Sequence, residues 1–305
     1  MSLHGMMAIT LGVPDIAAVT PFYREFGLGG DGNAFCSTAG GQQLTLVQRP
    51  WRQLVDVTLG ADSPDDFERI KAAAAKQDIE VAENHGAITV VEPTLRLPIH
   101  VAVMPRVAPV PVQPAPINVP GNTGRPNERP ATLFEGGPAQ PRRLGHVAVG
   151  TPDIEATSQF LQTVLGFRLS DRVDGVVEFV RCSTDHHNFA LAAAPVPFLH
   201  HSSWQLDSMD AIGHGATHLL KGDPDRHAWG LGRHFLGSNL FWYFRDPAGN
   251  FAEYFSDIDQ IVDDAEWMAR TWEPDKALYI WGHPTPDALA PTDIGEIIEA
   301  MAAAP

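Results

Sequence analysis

The chain has 305 residues, 44% of them hydrophobic, enough to build more than one cored unit. Its 21 Lys and Arg against 37 Asp and Glu give a formal charge of -16, which repels a phosphate backbone or an anionic bilayer and argues against both as partners. No apolar run reaches bilayer-spanning length, the N-terminus lacks the basic-then-apolar order of a leader, and Cys36 and Cys182 are too few for a disulfide framework, so the sequence reads as soluble and cytoplasmic.

Four segments open alike: Val13-Pro14-Asp15, Ser63-Pro64-Asp65, Thr151-Pro152-Asp153 and Ser208-Met209-Asp210. Proline at a first helical position, Ser or Thr ahead of it as a cap and Asp on the positive helix end predict helix starts. The spacing of Ile16, Val19, Phe22, Tyr23 and Phe26, and of Ile154, Leu161, Val164 and Leu165, agrees, giving helices at about 14–26, 64–76, 152–165 and 209–220. One strand-like segment precedes each helix and two or three follow it, so each module reads βαβββ. In the third, Asp174-Gly175 predicts a two-residue hairpin between 168–173 and 176–182, and 188–193 adds a strand. In the fourth, 239–245 and 250–255 flank a turn at Asp246-Pro247-Ala248-Gly249. Residues 105–143 carry ten prolines and read as a linker. An acidic helix is predicted over about 258–271, and Trp281-Gly282-His283-Pro284 is read as a lid over a cavity mouth. The expected fold is α+β, with two domains of two βαβββ modules each forming open barrels. Its parts are an N-terminal domain without a metal site (1–104), a linker (105–143), a catalytic domain (144–256) and a C-terminal helix and lid (257–305).

The repeats differ in chemistry. Ten of the thirteen histidines lie between His146 and His283. Aligning modules one and three on Pro-Asp-Ile sets Ala8 opposite His146, and aligning them on Cys-Ser-Thr sets Gly40 and Gly41 opposite His186 and His187. Aligning modules two and four on Glu92-Pro93 and Asp246-Pro247 sets Ile99 opposite Glu253. Folding therefore does not demand these polar side chains. Two imidazoles and one carboxylate on a divalent metal leave positions free for substrate and dioxygen. Tyr243 and Glu253 are equidistant from the turn centre near residue 248, which predicts cross-strand neighbours. A lone strand histidine or tyrosine is otherwise a packing residue, the reading given to His227 and His283. His214 and His218 lack the intervening Glu of a zinc-protease helix and read as solvent-facing.

Leu144-Gly145-His146-Val147, Asp185-His186-His187, His200-His201, Gly232-Arg233-His234 and Arg245-Asp246-Pro247 resemble signatures of the type I extradiol (meta-cleaving) catechol dioxygenases of the vicinal oxygen chelate superfamily. The resemblance covers essentially the whole chain. His234 and Tyr243 precede Glu253 by nineteen and ten residues, as a ring-facing histidine and a tyrosine precede the carboxylate ligand in that family. It implies His146, His201 and Glu253 as ligands of Fe(II), with Mn(II) the alternative. It also implies His187 as the acid/base histidine, His234 and Tyr243 as catalytic partners of the substrate hydroxyls, and Phe179 as an aromatic wall of the substrate site. His187 and His201 are taken over His186 and His200 because the second member of each doublet keeps the family distance to Ala190 and Gln205. The implied partners are a small catechol and O2, and a homo-oligomer is expected. A hydrophobic catechol is preferred, Arg181 and Arg233 being the basic residues available to hold a carboxylate. Two other readings stay open: a glyoxalase-like isomerase or lyase, and a non-enzymatic protein that sequesters an aromatic ligand.

Overall fold

The computed structural model describes residues 3–108, 111–113, 115–130, 136–274, 278–289 and 293–303. The first module contains β1 (Leu3–Val13), α1 (Ile16–Glu25), β2 (Ala34–Ser37) and β3 (Gly41–Gln48). The second contains β4 (Gln53–Ala61), α2 (Asp65–Ala75), β5 (Val81–Asn84), β6 (Ala87–Glu92) and β7 (Leu97–Val103). A short pair, β8 (Asn118–Val119) and β9 (Asn122–Thr123), lies within the proline-rich stretch. The third module is β10 (Leu144–Thr151), α3 (Ile154–Phe160), β11 (Arg168–Val173), β12 (Val177–Arg181) and β13 (Phe189–Ala193). The fourth is β14 (Phe198–Gln205), α4 (Met209–Gly222), β15 (His227–Arg233), β16 (Leu240–Arg245) and β17 (Phe251–Ser256). Then come β18 (Arg270–Thr271) and α5 (Ile294–Ala303). Among the described residues no helix is long and apolar enough to cross a membrane.

The N-terminal modules share a seven-stranded sheet of order β2-β3-β1-β4-β7-β6-β5, and the C-terminal modules a nine-stranded sheet of order β15-β16-β17-β14-β10-β13-β12-β11-β18. At the centre of each sheet the opening strands of two modules run antiparallel, β1 against β4 and β10 against β14. Each opening strand also lies parallel to the last strand of its own module. A parallel neighbour requires a crossover, which is the role of the helix in each module. The first module keeps only two strands after its helix; a single bridge, Gly29 to Cys36, stands where the third would be.

Several local expectations change. The caps of α1 and α3 are Asp15 and Asp153, whose carboxylates accept from the amides of Ala18 and Ala156 at 3.0 and 2.9 Å. Proline therefore precedes the cap instead of opening the helix. The third helix changes after Phe160 into a π-turn, Leu161–Leu165, and stops at Gly166, whose φ of 81° suits glycine. Val173 pairs with Val177, so the hairpin loop holds three residues, with Gly175 at φ 67°. The helix predicted over 258–271 does not form. Its amides are taken by neighbouring loops, Asp259 N–H donating to Gly237 O and Ile261 N–H to Thr184 O, while the side chains of Ile258 and Ile261 are buried.

Register also corrects the module comparison. Across the C-terminal sheet, His146, Ser203 and Glu253 form one row; across the N-terminal sheet the same row is Ala8, Thr58 and His100. The counterpart of Glu253 is thus His100 and not Ile99. The turn after Glu92 has four residues before Leu97 pairs back, whereas the turn after Asp246 has three before Asn250 does. By the same register Asp56 stands where His201 does, since Thr10 pairs with Asp56 and Ala148 with His201. The N-terminal copy keeps two polar positions but has alanine at the first.

The two sheets meet through buried aromatics. Tyr254 stacks on Phe26 with ring centroids 4.1 Å apart, and its hydroxyl donates to the Phe26 carbonyl at 2.7 Å. Tyr254→Phe leaves that buried carbonyl without its partner. It is expected to lower stability by about 1–3 kcal/mol in urea unfolding, with the metal content of the folded chain unchanged.

Candidate functional site

The central strands carry the site. On β14, His201 and Ser203 are two residues apart and so share a face. Ser203 pairs with His146 on β10 and with Glu253 on β17, and Glu253 pairs in turn with Tyr243 on β16. One row across four strands therefore reads His146, Ser203, Glu253, Tyr243. The small serine in the middle lets longer side chains on either side converge above it.

They do converge. His146 Nε2 lies 3.1 Å from Glu253 Oε2, and His201 Nε2 lies 3.3 Å from the same oxygen. One ligand atom from each of the three residues falls within 4.8 Å of the others, and all three side chains are buried. The second carboxylate oxygen accepts from the Asn239 amide at 3.1 Å. His201 Nε2 is buried with no hydrogen-bond partner. Two imidazoles and a carboxylate that leave a buried nitrogen lone pair unpaired suit a divalent cation of the Fe(II) or Mn(II) type, so the residues present fit such an ion.

The other sequence-predicted residues surround this point. The His187 ring is 4.2 Å from that of His146 and 4.9 Å from that of Phe179. His234 Nε2 stands 2.9 Å from the Tyr243 hydroxyl and 3.8 Å from Glu253 Oε1. Phe179 belongs to an apolar cluster with Val173, Leu236, Phe235 and Trp272. Arg181 and Arg233 are engaged elsewhere, Arg181 by Asp264 and Ser170, Arg233 by Asp257 and the Ser238 carbonyl. The Trp281 segment runs along β15, bridging to Arg233, and the His283 carbonyl accepts from the Trp229 indole at 2.8 Å. A cavity of about 780 Å³ elsewhere, lined by His4, Arg106, Arg143 and Gln260, includes none of the three converging residues.

Electrostatics follow from burial. Burial opposes charge on Glu253, yet the His146, His201 and His234 rings around it hold its carboxyl well below the usual range. Burial and the His146 ring keep His187 well below its ordinary value, and burial lowers His201 against the pull of Glu253. Burial and the neighbouring His201 push His200 down to about 3. Burial and the nearby Glu253 raise the Tyr243 phenol, which stays protonated.

Sequence reasoning missed Asn239, which orients Glu253, and the first members of both histidine doublets. His200 Nδ1 lies 2.7 Å from His201 Nδ1, and His186 Nδ1 lies 3.0 Å from His187 Nδ1. The repeated His-His pair was the available signal; choosing one member of each hid the other's role. Asn239 ends a Gly-Ser-Asn turn and carried no signal of its own.

Residues 143–254 match the model of the Glyoxalase/Bleomycin resistance protein/Dioxygenase superfamily, and the fold is that of the vicinal oxygen chelate proteins. The chain is 40% identical over 149 residues to metapyrocatechase 2 of Cupriavidus necator, covering 48% of this chain and 46% of that protein. It is 31% identical over 155 residues to an iron-dependent extradiol dioxygenase of Rhodococcus jostii, covering 46% of this chain and 50% of that protein. The aligned part thus spans about half the length of the curated relatives. Among solved structures, a Mn(II)-bound glyoxalase from Novosphingobium aromaticivorans superposes with a TM-score of 0.73 at 25% identity, over 94% of both chains. An extradiol ring-cleaving dioxygenase from B. fuscum superposes with a TM-score of 0.74 at 19% identity, over 94% of this chain and 81% of that one.

Removing the Asn239 amide frees Glu253 to turn. Asn239→Ala is expected to weaken Mn(II) binding by about 10- to 100-fold in anaerobic titration calorimetry, without loss of folded protein by circular dichroism.

Proposed function

We propose that this chain is an extradiol dioxygenase that opens a catechol ring beside its two hydroxyls and adds both atoms of O2 to the product, as a step in the breakdown of aromatic compounds. His146, His201 and Glu253 hold Fe(II), or Mn(II), in the C-terminal half. The carrying observation is that the three converging donors, His187 and the His234–Tyr243 pair all face one point. The named relatives at 40% and 31% identity point to the same chemistry. When bound, such an ion would supply Lewis-acid and redox chemistry toward the catechol and O2 beside these three residues.

The chain's own residues do the rest. His187, kept neutral by burial, presents a base that takes a catechol proton and returns it later as an acid. Tyr243, held protonated, stands 2.9 Å from His234 Nε2, and its hydroxyl oxygen keeps a lone pair to accept from a substrate hydroxyl. Phe179 and its apolar neighbours form a wall that excludes water, and the engagement of Arg181 and Arg233 by other groups favours a hydrophobic catechol over a carboxylated one. The reading carries with it a cytoplasmic, homo-oligomeric enzyme.

One second reading has a specific observation behind it: the likeness to a Mn(II)-bound glyoxalase extends over 94% of both chains. Oxygen uptake separates the two. Reconstituted with Fe(II) under anaerobic conditions, the chain is expected to consume one O2 per catechol and form a yellow ring-opened product. His187→Gln is expected to lower kcat by about 10²–10⁴-fold with KM little changed. Absence of oxygen uptake with Fe(II) and with Mn(II), across catechol, 3-methylcatechol and 2,3-dihydroxybiphenyl, would overturn the dioxygenase reading.

A further inference from the structure

The segment beyond the matched domain reaches back to the site at three points. The Leu289 carbonyl lies 3.1 Å from His200 Nε2, and the Leu278 carbonyl 2.5 Å from His234 Nδ1. The Arg270 amide and the Trp272 indole both donate to Asp171 Oδ1, at 2.9 and 3.0 Å, leaving Asp171 Oδ2 to face His186 Nε2 at 3.0 Å.

These contacts determine where protons sit. A carbonyl oxygen only accepts, so His200 carries its hydrogen on Nε2 and keeps a lone pair on Nδ1. His201 must then donate from its own Nδ1, 2.7 Å away, which leaves His201 Nε2 to face Glu253. In the second chain two N–H donors occupy Asp171 Oδ1, and the other oxygen accepts from His186 Nε2. His186 Nδ1 is then an acceptor for His187 Nδ1–H at 3.0 Å, and His187 Nε2 is bare. In the third, His234 gives its Nδ1 hydrogen to Leu278 O, and its bare Nε2 accepts from the Tyr243 hydroxyl.

We infer that Arg270, Trp272, Leu278 and Leu289 belong to the active site by setting the tautomer of its histidines: through His200, through Asp171 and His186, and directly, they turn the Nε2 of His201, His187 and His234 to the cavity. Asp171, His186 and His200 are positioning residues. The two His-His doublets are the same device used twice, an outer ring anchored on an acceptor and an inner ring presenting its lone pair. For His201 this is the state a metal ligand needs; for His187 it is the state of a base. Only the catalytic consequence rests on the dioxygenase reading, because the proton positions follow from hydrogen bonding alone.

The test is two-bond 1H–15N correlation on the metal-free, full-length, 15N-histidine-labelled chain, which distinguishes the two neutral tautomers of each ring. In the wild type His187, His201 and His234 are expected to carry a proton on Nδ1, His201 gaining a second one on Nε2 where no ion faces Glu253, and His186 and His200 are expected as Nε2–H rings. Asp171→Asn keeps the shape but places an amide N–H against His186 Nε2. That should move His186 to Nδ1–H and His187 to Nε2–H while His201 and His234 stay as they were. Catechol turnover by this variant should fall about 10- to 100-fold with Mn(II) stoichiometry unchanged. His187 or His201 protonated on Nε2 alone in the wild type would overturn the inference, as would Asp171→Asn leaving His187 unmoved. The wild-type spectrum is decisive even if the variant does not fold. The stated tautomers in a chain that takes up no oxygen would leave the inference standing and remove the dioxygenase reading.

Discussion

The C-terminal half is organised around one buried carboxylate. Glu253 has no exposed surface, and its ion-pair neighbours within 4 Å are His146, His201 and His234, none of them a fixed cation. An isolated charge in such a place costs several kcal/mol. Either the surrounding imidazoles gain protons or a cation sits among them. The lone pairs decide between these: His201 points an unpaired nitrogen at the carboxylate, and Asn239 already occupies the other oxygen. A divalent ion uses that nitrogen and neutralises the charge at once.

This constraint explains why two sheets of the same design differ in content. The opening strands of paired modules cross antiparallel at the centre of both sheets, so any residue placed in the central row points at the same region. In the N-terminal sheet the row is Ala8, Thr58 and His100, and without a donor on the first strand the polar pair of Asp56 and His100 cannot enclose an ion. His100 instead meets Thr89, its cross-strand neighbour, at 2.8 Å. That half buttresses the other: Phe26 receives Tyr254, and Arg52 reaches the Leu199 carbonyl and Asp293.

Much of this was legible in the residues because period and spacing are local. Three Pro-Asp signals and Ser208-Met209-Asp210 located four helix starts, and the turn at Asp246 located the pairing of Tyr243 with Glu253, since a tight hairpin fixes register. What stayed illegible depended on partners distant in sequence. The amides of Asp259 and Ile261 donate to the Gly237 and Thr184 carbonyls, and the Asp259 carbonyl accepts from the His186 amide, a competition that helical periodicity cannot register. The one-residue offset between Ile99 and His100 arises from unequal turn lengths, invisible when modules are aligned on a shared dipeptide. The outer histidines were set aside for the same reason: the roles of His186 and His200 depend on Asp171 and Leu289, 15 and 89 residues away in the chain.

The central claim is that three side chains from three strands share one ion. Diffraction from crystals grown anaerobically with Fe(II), recorded on both sides of the iron edge, addresses it directly. The account predicts one anomalous peak per chain, about 2.0–2.2 Å from His146 Nε2, His201 Nε2 and a Glu253 oxygen, with part of its surroundings free of protein atoms. A peak held by other residues, or none at full iron loading, would contradict it.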